Sequence, residues 1–184
     1  MPIQKVNKEE ILQHAFRVFK LQGYHRTSLS DIASACGLLK GSIYHYFDSK
    51  ETLMKEVLVS GHNMIKNEVL RVAYNDKVPP KKRMATMFDL IQNTYLNDEG
   101  GCIMGNIGLE TSYTMPEFRK IIKLFFEDWI AAFAHVYKSN MAIKRAKEKA
   151  EHDVMELEGA IMLCRVFNDR QYVERTIRRI MKEI

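Results

Sequence analysis

Apolar residues recur every third or fourth position along most of the chain, a spacing that predicts helices with one buried face each. From Lys8 to Leu21 the stripe is Ile11, Leu12, Ala15, Phe16 and Phe19, and Gly23 ends it. A shorter run, Leu29, Ile32, Ala33 and Cys36, follows Thr27 and Ser28, with Asp31 three residues after Ser28 in capping-box spacing. Gly37 supplies a residue able to leave that helix at positive φ. The chain then re-enters helix through Leu39 and Lys40, placing Ile43 and Phe47 on one face. Two short helices around a glycine turn, covered by a third, form the pattern of a helix-turn-helix reader of DNA.

A fourth helix is predicted to start beside Asp48 or Ser49 and to run past Val72 on Met54, Leu58, Gly61, Ile65, Val69 and Val72. At about 24 residues it spans about 36 Å, enough to link two domains. Pro79 and Pro80 close that region, and the next stripe, Met84, Met87, Phe88, Ile91 and Tyr95, stops at Asn97-Asp98-Glu99-Gly100-Gly101. The apolar, glycine-dotted stretch from Cys102 to Glu110 predicts a short, irregular helix. Thr114-Met115-Pro116-Glu117 reads as a helix start with cap, first-turn proline and returning glutamate. Phe118, Ile122, Phe125, Trp129, Phe133 and Val136 follow, with Ile121, Phe126 and Ile130 widening the buried face. A charged stretch from Lys144 to Asp153 leads into Val154, Leu157, Ile161 and Cys164, and a last stripe runs through Val173, Thr176, Ile177 and Ile180. Asn168 and Asp169 mark the break between these two helices. With no strand candidate, the expected fold is all-α with about nine helices.

Composition narrows the class. The chain has 184 residues, 46% hydrophobic and 28% charged, a soluble balance. No run of eighteen apolar residues occurs and the first twenty positions carry Lys5, Lys8, Glu9, Glu10, Arg17 and Lys20, so neither a membrane span nor a secretory leader is expected, and the expected location is cytoplasmic. Cys36, Cys102 and Cys164 lack close spacing and read as free thiols in a reducing compartment. The net charge is +5, and residues 1–50 hold seven Lys or Arg against four acids, so the positive excess gathers at the motif. None of the six histidines has a carboxylate three positions earlier, and no nucleophile elbow, phosphate loop or Cys-X-X-Cys pair is present. The expectation is no enzyme, no metal and no cofactor.

Ile11, Ala15, Phe19, Gly23, Tyr24, Thr27, Asp31, Ile32, Ala33, Gly37, Lys40, Gly41, Tyr44, Phe47, Lys50 and Leu53 fall in the spacing of the tetracycline-repressor (TetR) amino-terminal domain, which the first third of the chain resembles. Leu39 departs from the pattern, since the family often has serine, threonine or proline there; a leucine cannot cap a helix, and a lost cap costs about 1 kcal/mol. Farther on, Gly101 to Glu110, Pro116 to Arg119 and Leu157-Glu158-Gly159-Ala160 resemble the LmrA/YxaF-type branch. Gly159 suits a close approach of two helices, or is simply a tolerated glycine.

The resemblance implies an amino-terminal DNA-binding domain at 1–50 and a helical effector-binding and dimerisation domain at 51–184. It implies a homodimer through the last two helices, on palindromic double-stranded operator DNA. Repression would be released by a small apolar or amphipathic effector of unknown identity. The DNA candidates are Lys40, Gly41, Ser42, Tyr44 and His45, with Arg26, Thr27, Ser28 and Lys50 at the margins. Lys40 and Ser42 suit base edges, Gly41 allows close approach, and Tyr44, His45, Thr27 and Lys50 suit phosphates. The ligand candidates are Met64, Met87, Phe88, Ile91, Tyr95, Met104, Ile107, Phe125, Trp129 and Phe133, with Glu110 and Tyr113 as polar members. A Met and aromatic stripe is also what plain core looks like, and Glu110 is equally a solvated carboxylate at a helix end. The competing reading is a helical protein-interaction module, or a nonspecific DNA binder without an effector.

Overall fold

Local signals set most helix boundaries. The computed structural model describes residues 6–95 and 100–184, with the side chains of 93–95 excepted. Its described residues form nine α-helices and no strand: α1 Lys8–Gln22, α2 Leu29–Ala35, α3 Lys40–Ile43, α4 Lys50–Glu68, α5 Pro80–Tyr95, α6 Ile103–Thr111, α7 Pro116–Tyr137, α8 Ile143–Phe167 and α9 Gln171–Lys182. They pack as two compact units, residues 1–62 with 103–122, and 63–102 with 123–184. By packing, the first unit thus reaches beyond the motif-based boundary at residue 50 and takes in α6 and the start of α7.

In the first unit, Asn7 and Glu10 form a reciprocal capping box at the start of α1, as do Ser28 and Asp31 at the start of α2. Gly23 closes α1 at φ +79°, and Gly37 follows α2 at φ +66°. Ile11, Ala15, Phe19, Ile32, Ala33, Ile43 and Phe47 make the core, each at most 1% exposed. The helix of α4 joins this core through Leu53, Met54, Val57 and Leu58. Gly61 lets it come close to α1, since a Cβ there would lie 3.1 Å from the Phe16 ring.

Two expectations change here. The second motif helix is one turn, Lys40–Ile43, and the chain continues as a hydrogen-bonded turn in which the Tyr46 and Phe47 amides donate to the Ile43 carbonyl. Leu39, at its cap position, makes no side-chain hydrogen bond. The fourth helix stops at Glu68 rather than past Val72, and Leu70–Tyr74 form a 3-10 turn. Arg83 from α5, itself 2% exposed, takes the Ala73 carbonyl at 2.5 Å and Asp76 at 2.8 Å. That guanidinium, supplied by the next helix, rewards ending α4 where the stripe alone would prolong it.

In the second unit, Phe125, Trp129, Phe133 and Tyr137 stack ring edge to ring face along α7, and Phe88 of α5 meets Phe133 at 5.7 Å. Pro116 occupies the first position of α7, where its missing N–H costs nothing. Thr114 is not the cap; its hydroxyl donates back to the Thr111 carbonyl. Helices α8 and α9 form an antiparallel hairpin whose turn puts Asn168 in the left-handed region, φ 51° and ψ 41°. Asp153, fully buried, joins it to the core by accepting from Tyr137, Arg179 and Lys149. Cys36 and Cys102 are buried free thiols, and Cys164 is half-buried. Among the described residues no helix is long and apolar enough to cross a membrane.

Candidate nucleic-acid interface

Burying Ile43 and Phe47 leaves the other face of the α3 turn in solvent. Lys40, Gly41, Tyr44 and His45 are exposed, Tyr44 at 48%, and Ser42 is half-buried. Within the chain the side chains of Lys40, Tyr44 and His45 make no hydrogen bond or ion pair among the described residues, so their polar atoms are available to an outside partner. A Cβ on Gly41 would meet nothing within 4 Å, so no packing inside the chain requires a glycine there. A bare backbone at that point permits close approach by another molecule.

The marginal candidates divide. Arg26 and Ser28 are exposed, but the Ser28 hydroxyl is engaged in the α2 cap, donating to Asp31 at 2.7 Å and accepting from the Asp31 amide. Those bonds from Ser28 hold the Asp31 carboxyl below its ordinary value. Thr27 is 2% exposed and its hydroxyl donates to the Gly23 carbonyl at 2.7 Å, so it faces inward. Lys50 is half-buried; its ammonium donates at 2.9 Å to the carbonyls of both Tyr24 and Thr27 and lies over the Tyr24 ring. These two residues shape the loop before α2. Tyr46, which sequence reasoning passed over, is 39% exposed and donates to the Val6 carbonyl at 3.0 Å, tying the chain ahead of α1 to the turn after α3. An aromatic flanked by His45 and Phe47, out of register with the buried face, was the available signal.

The effector candidates separate by unit. In the second, Met87, Phe88, Ile91, Phe125, Trp129 and Phe133 are buried, and the rings of Phe88, Phe125, Trp129 and Phe133 form one contiguous chain of contacts, while Met64 is 38% exposed. The Tyr95 side chain lies outside the described residues. In the first, Met104 and Ile107 are buried, and Tyr113 is 98% exposed. Glu110 is half-buried and accepts from the amides of Tyr24 and His25. An open groove of about 620 Å³ in the second unit is lined by other residues, among them Tyr74, Ile130, Ala134, His135 and Ile143.

Among the described residues, helices alone make the fold and a short, exposed, basic and aromatic turn stands on a three-helix core, the architecture of a helix-turn-helix regulator. Residues 11–57 match the tetR family of bacterial regulatory proteins, and residues 80–179 match the carboxy-terminal domain of LmrA/YxaF-like transcriptional regulators. The chain belongs to the TetR family, in its LmrA/YxaF-like branch. It is 28% identical over 168 residues to the HTH-type transcriptional regulator YxaF of Bacillus subtilis, covering 89% of this chain and 87% of that one. It is 29% identical over 126 residues to the HTH-type transcriptional repressor DhaR of Mycobacterium sp., covering 68% and 63%. A TetR transcriptional regulator from Legionella pneumophila shares the fold at a TM-score of 0.89, with 26% identity and full coverage of both chains. The protein is a helix-turn-helix transcriptional regulator, not an enzyme.

Proposed function

We propose that this regulator acts in the cytoplasm as a homodimer that sets two α3 turns into successive major-groove faces of a palindromic operator, about 34–36 Å apart. It represses by occupying that DNA. The reading rests chiefly on the α3 turn, where Lys40, Tyr44 and His45 stand exposed with no side-chain polar partner among the described residues. Lys40 and Ser42 read base edges, Gly41 admits the backbone, and Tyr44, His45 and Arg26 hold phosphates.

Dimerisation uses α8 and α9. Met155, Met162, Val166 and Phe167 are 67%, 54%, 69% and 60% exposed on a helix whose other side is already buried, an apolar surface suited to a second copy. A small apolar or amphipathic effector binds among Met87, Phe88, Ile91, Phe125, Trp129 and Phe133, and favours a conformer whose α3 turns no longer match the two half-sites. The test is titration of the protein against a fluorescent fragment of its own upstream DNA at several salt concentrations, with nonspecific duplex as competitor. Tight, competitor-resistant binding that weakens steeply with salt is the expected result. Binding with no preference over competitor overturns the operator reading.

A further inference from the structure

Glu110 behaves unlike the rest of α6. Met104 and Ile107 fill the core and Leu109 points to solvent, whereas Glu110 reaches across 86 positions of sequence to the loop that leads into α2. Its Oε2 accepts the Tyr24 amide at 2.9 Å and the His25 amide at 3.1 Å. The His25 ring Nε2 lies 3.4 Å from the Glu110 main-chain carbonyl, to which it donates when that nitrogen carries the proton. Two consecutive amides converging on one carboxylate oxygen make an anion cradle, here filled by the protein's own side chain.

The loop is shaped around that carboxylate. A Cβ on Gly23 would fall on Glu110 Oε1, and Gly23 sits at φ +79°, ψ 173°, a region open essentially to glycine alone. Tyr24 packs edge-on to Phe118 at 5.2 Å, and Lys50 takes the Tyr24 and Thr27 carbonyls. The loop then ends in Ser28, the cap of α2. Helix α6 therefore grips the backbone three and four residues ahead of Ser28, the cap that opens the helix-turn-helix. Phe118 lies in the first turn of α7, which continues unbroken to Tyr137 and bears Phe125, Trp129 and Phe133.

We propose that Glu110 is a positioning residue for operator recognition: its carboxylate fixes the Tyr24–His25 backbone, so the entry to the helix-turn-helix is set from α6. Resting on the effector reading above, a shift of α6 or α7 reaches the DNA-binding turn by loosening this grip. Glu110 itself touches neither DNA nor effector.

The experiment compares wild type, Glu110→Ala and Glu110→Gln on two duplexes: the sequence wild type enriches from a random pool, and a scrambled version of it. Removing the two charge-assisted bonds is expected to weaken binding to the enriched duplex about tenfold or more, with scrambled binding unchanged. Glu110→Gln, which keeps an acceptor oxygen, should recover part of that loss and serves alone if the alanine variant does not fold. Amide exchange at Tyr24 and His25 should accelerate while the core amides of α1 and α4 keep their rates, a local change that general destabilisation does not produce. Equal losses on both duplexes alongside a lowered melting temperature, or no loss on either, overturn the proposal. Failure of wild type to enrich any sequence instead sinks the operator reading, and this proposal with it.

Discussion

Lys50, the first residue of α4, donates its ammonium to the Tyr24 carbonyl at 2.9 Å while lying 4.3 Å over the centre of the same residue's ring. A lysine at the edge of a DNA-binding surface invites a phosphate role, yet here it satisfies backbone carbonyls and a ring face. Lys50→Ala is expected to cost about 1–3 kcal/mol of stability, since two partly buried carbonyls lose a charged donor. Thermal unfolding checks this, with Tyr44→Ala as the contrast: it should weaken DNA binding while stability stays within about 0.5 kcal/mol. If Lys50 served phosphate alone, its loss would lower the salt slope of binding by about 1 and leave stability untouched.

Asp153 gives the fold an acid-sensitive joint. Burial opposes its charge, but the hydrogen bonds from Tyr137, Arg179 and Lys149 outweigh that and hold its carboxyl below the ordinary 3.8. A carboxyl depressed in the folded state stabilises above its unfolded value and loses that contribution as pH falls through the folded value. Tyr137→Phe should therefore lower stability at pH 7 by about 1–3 kcal/mol. It should also flatten the decline below about pH 4. Denaturant unfolding from pH 7 to pH 3 tests both parts, and an unchanged acid limb contradicts the assignment.

Glu158 titrates in the opposite sense. Burial pushes its carboxyl up to about 7 against a hydrogen bond with Cys102 that pulls it down, and its Oε1 is sealed from solvent with no hydrogen-bond partner among the described residues. For a raised carboxyl the contribution is fully present below the unfolded 4.5 and is lost as pH rises through about 7. Relative to wild type, Glu158→Gln should gain about 1–3 kcal/mol between pH 5 and pH 8. Melting temperatures that keep a constant gap across that interval would show that Glu158 ionises normally.

The apolar row on α8 predicts the behaviour of a charged variant. Met162→Glu combined with Val166→Glu places two carboxylates where the second copy is proposed to dock, at 54% and 69% exposed positions. Helical content should be unchanged because both residues already face solvent. Sedimentation velocity should shift to the monomer, with operator affinity falling by about tenfold or more once the two half-sites are no longer linked. A dimer that survives both substitutions would move the interface elsewhere.

What was legible in the sequence was local. The Ser28–Asp31 cap, the glycine stop at Gly23, the helix break at Asn168 and the first-turn Pro116 each act within a few residues of themselves, and each appears where its spacing says. The exposed face of α3 was readable for the same reason: once Ile43 and Phe47 are buried, helical geometry turns Lys40, Tyr44 and His45 outward. Thr27 and Lys50 were not readable, because their partners are carbonyls of a folded loop, and for Lys50 those carbonyls lie 23 and 26 positions away. A threonine and a lysine beside a basic motif look the same whether they face phosphate or backbone.

The amino-acid pattern by itself determined the helices, the helix-turn-helix and the outward residues of its second helix, because periodicity, capping and turn chemistry operate over one or two turns of chain; the family followed from the resemblance of the motif positions. Only the tertiary structure decided that α4 yields to a 3-10 turn under Arg83, that Asp153 is a buried hub rather than the end of a charged stretch, and that Glu110 belongs to the loop before α2. In each case a charged side chain meets a backbone or ionic partner on another element, 7 and 10 positions away for Arg83 and 86 for Glu110. The energy of that meeting, a charge-assisted hydrogen bond shielded from water, exists only after the chain has folded around it.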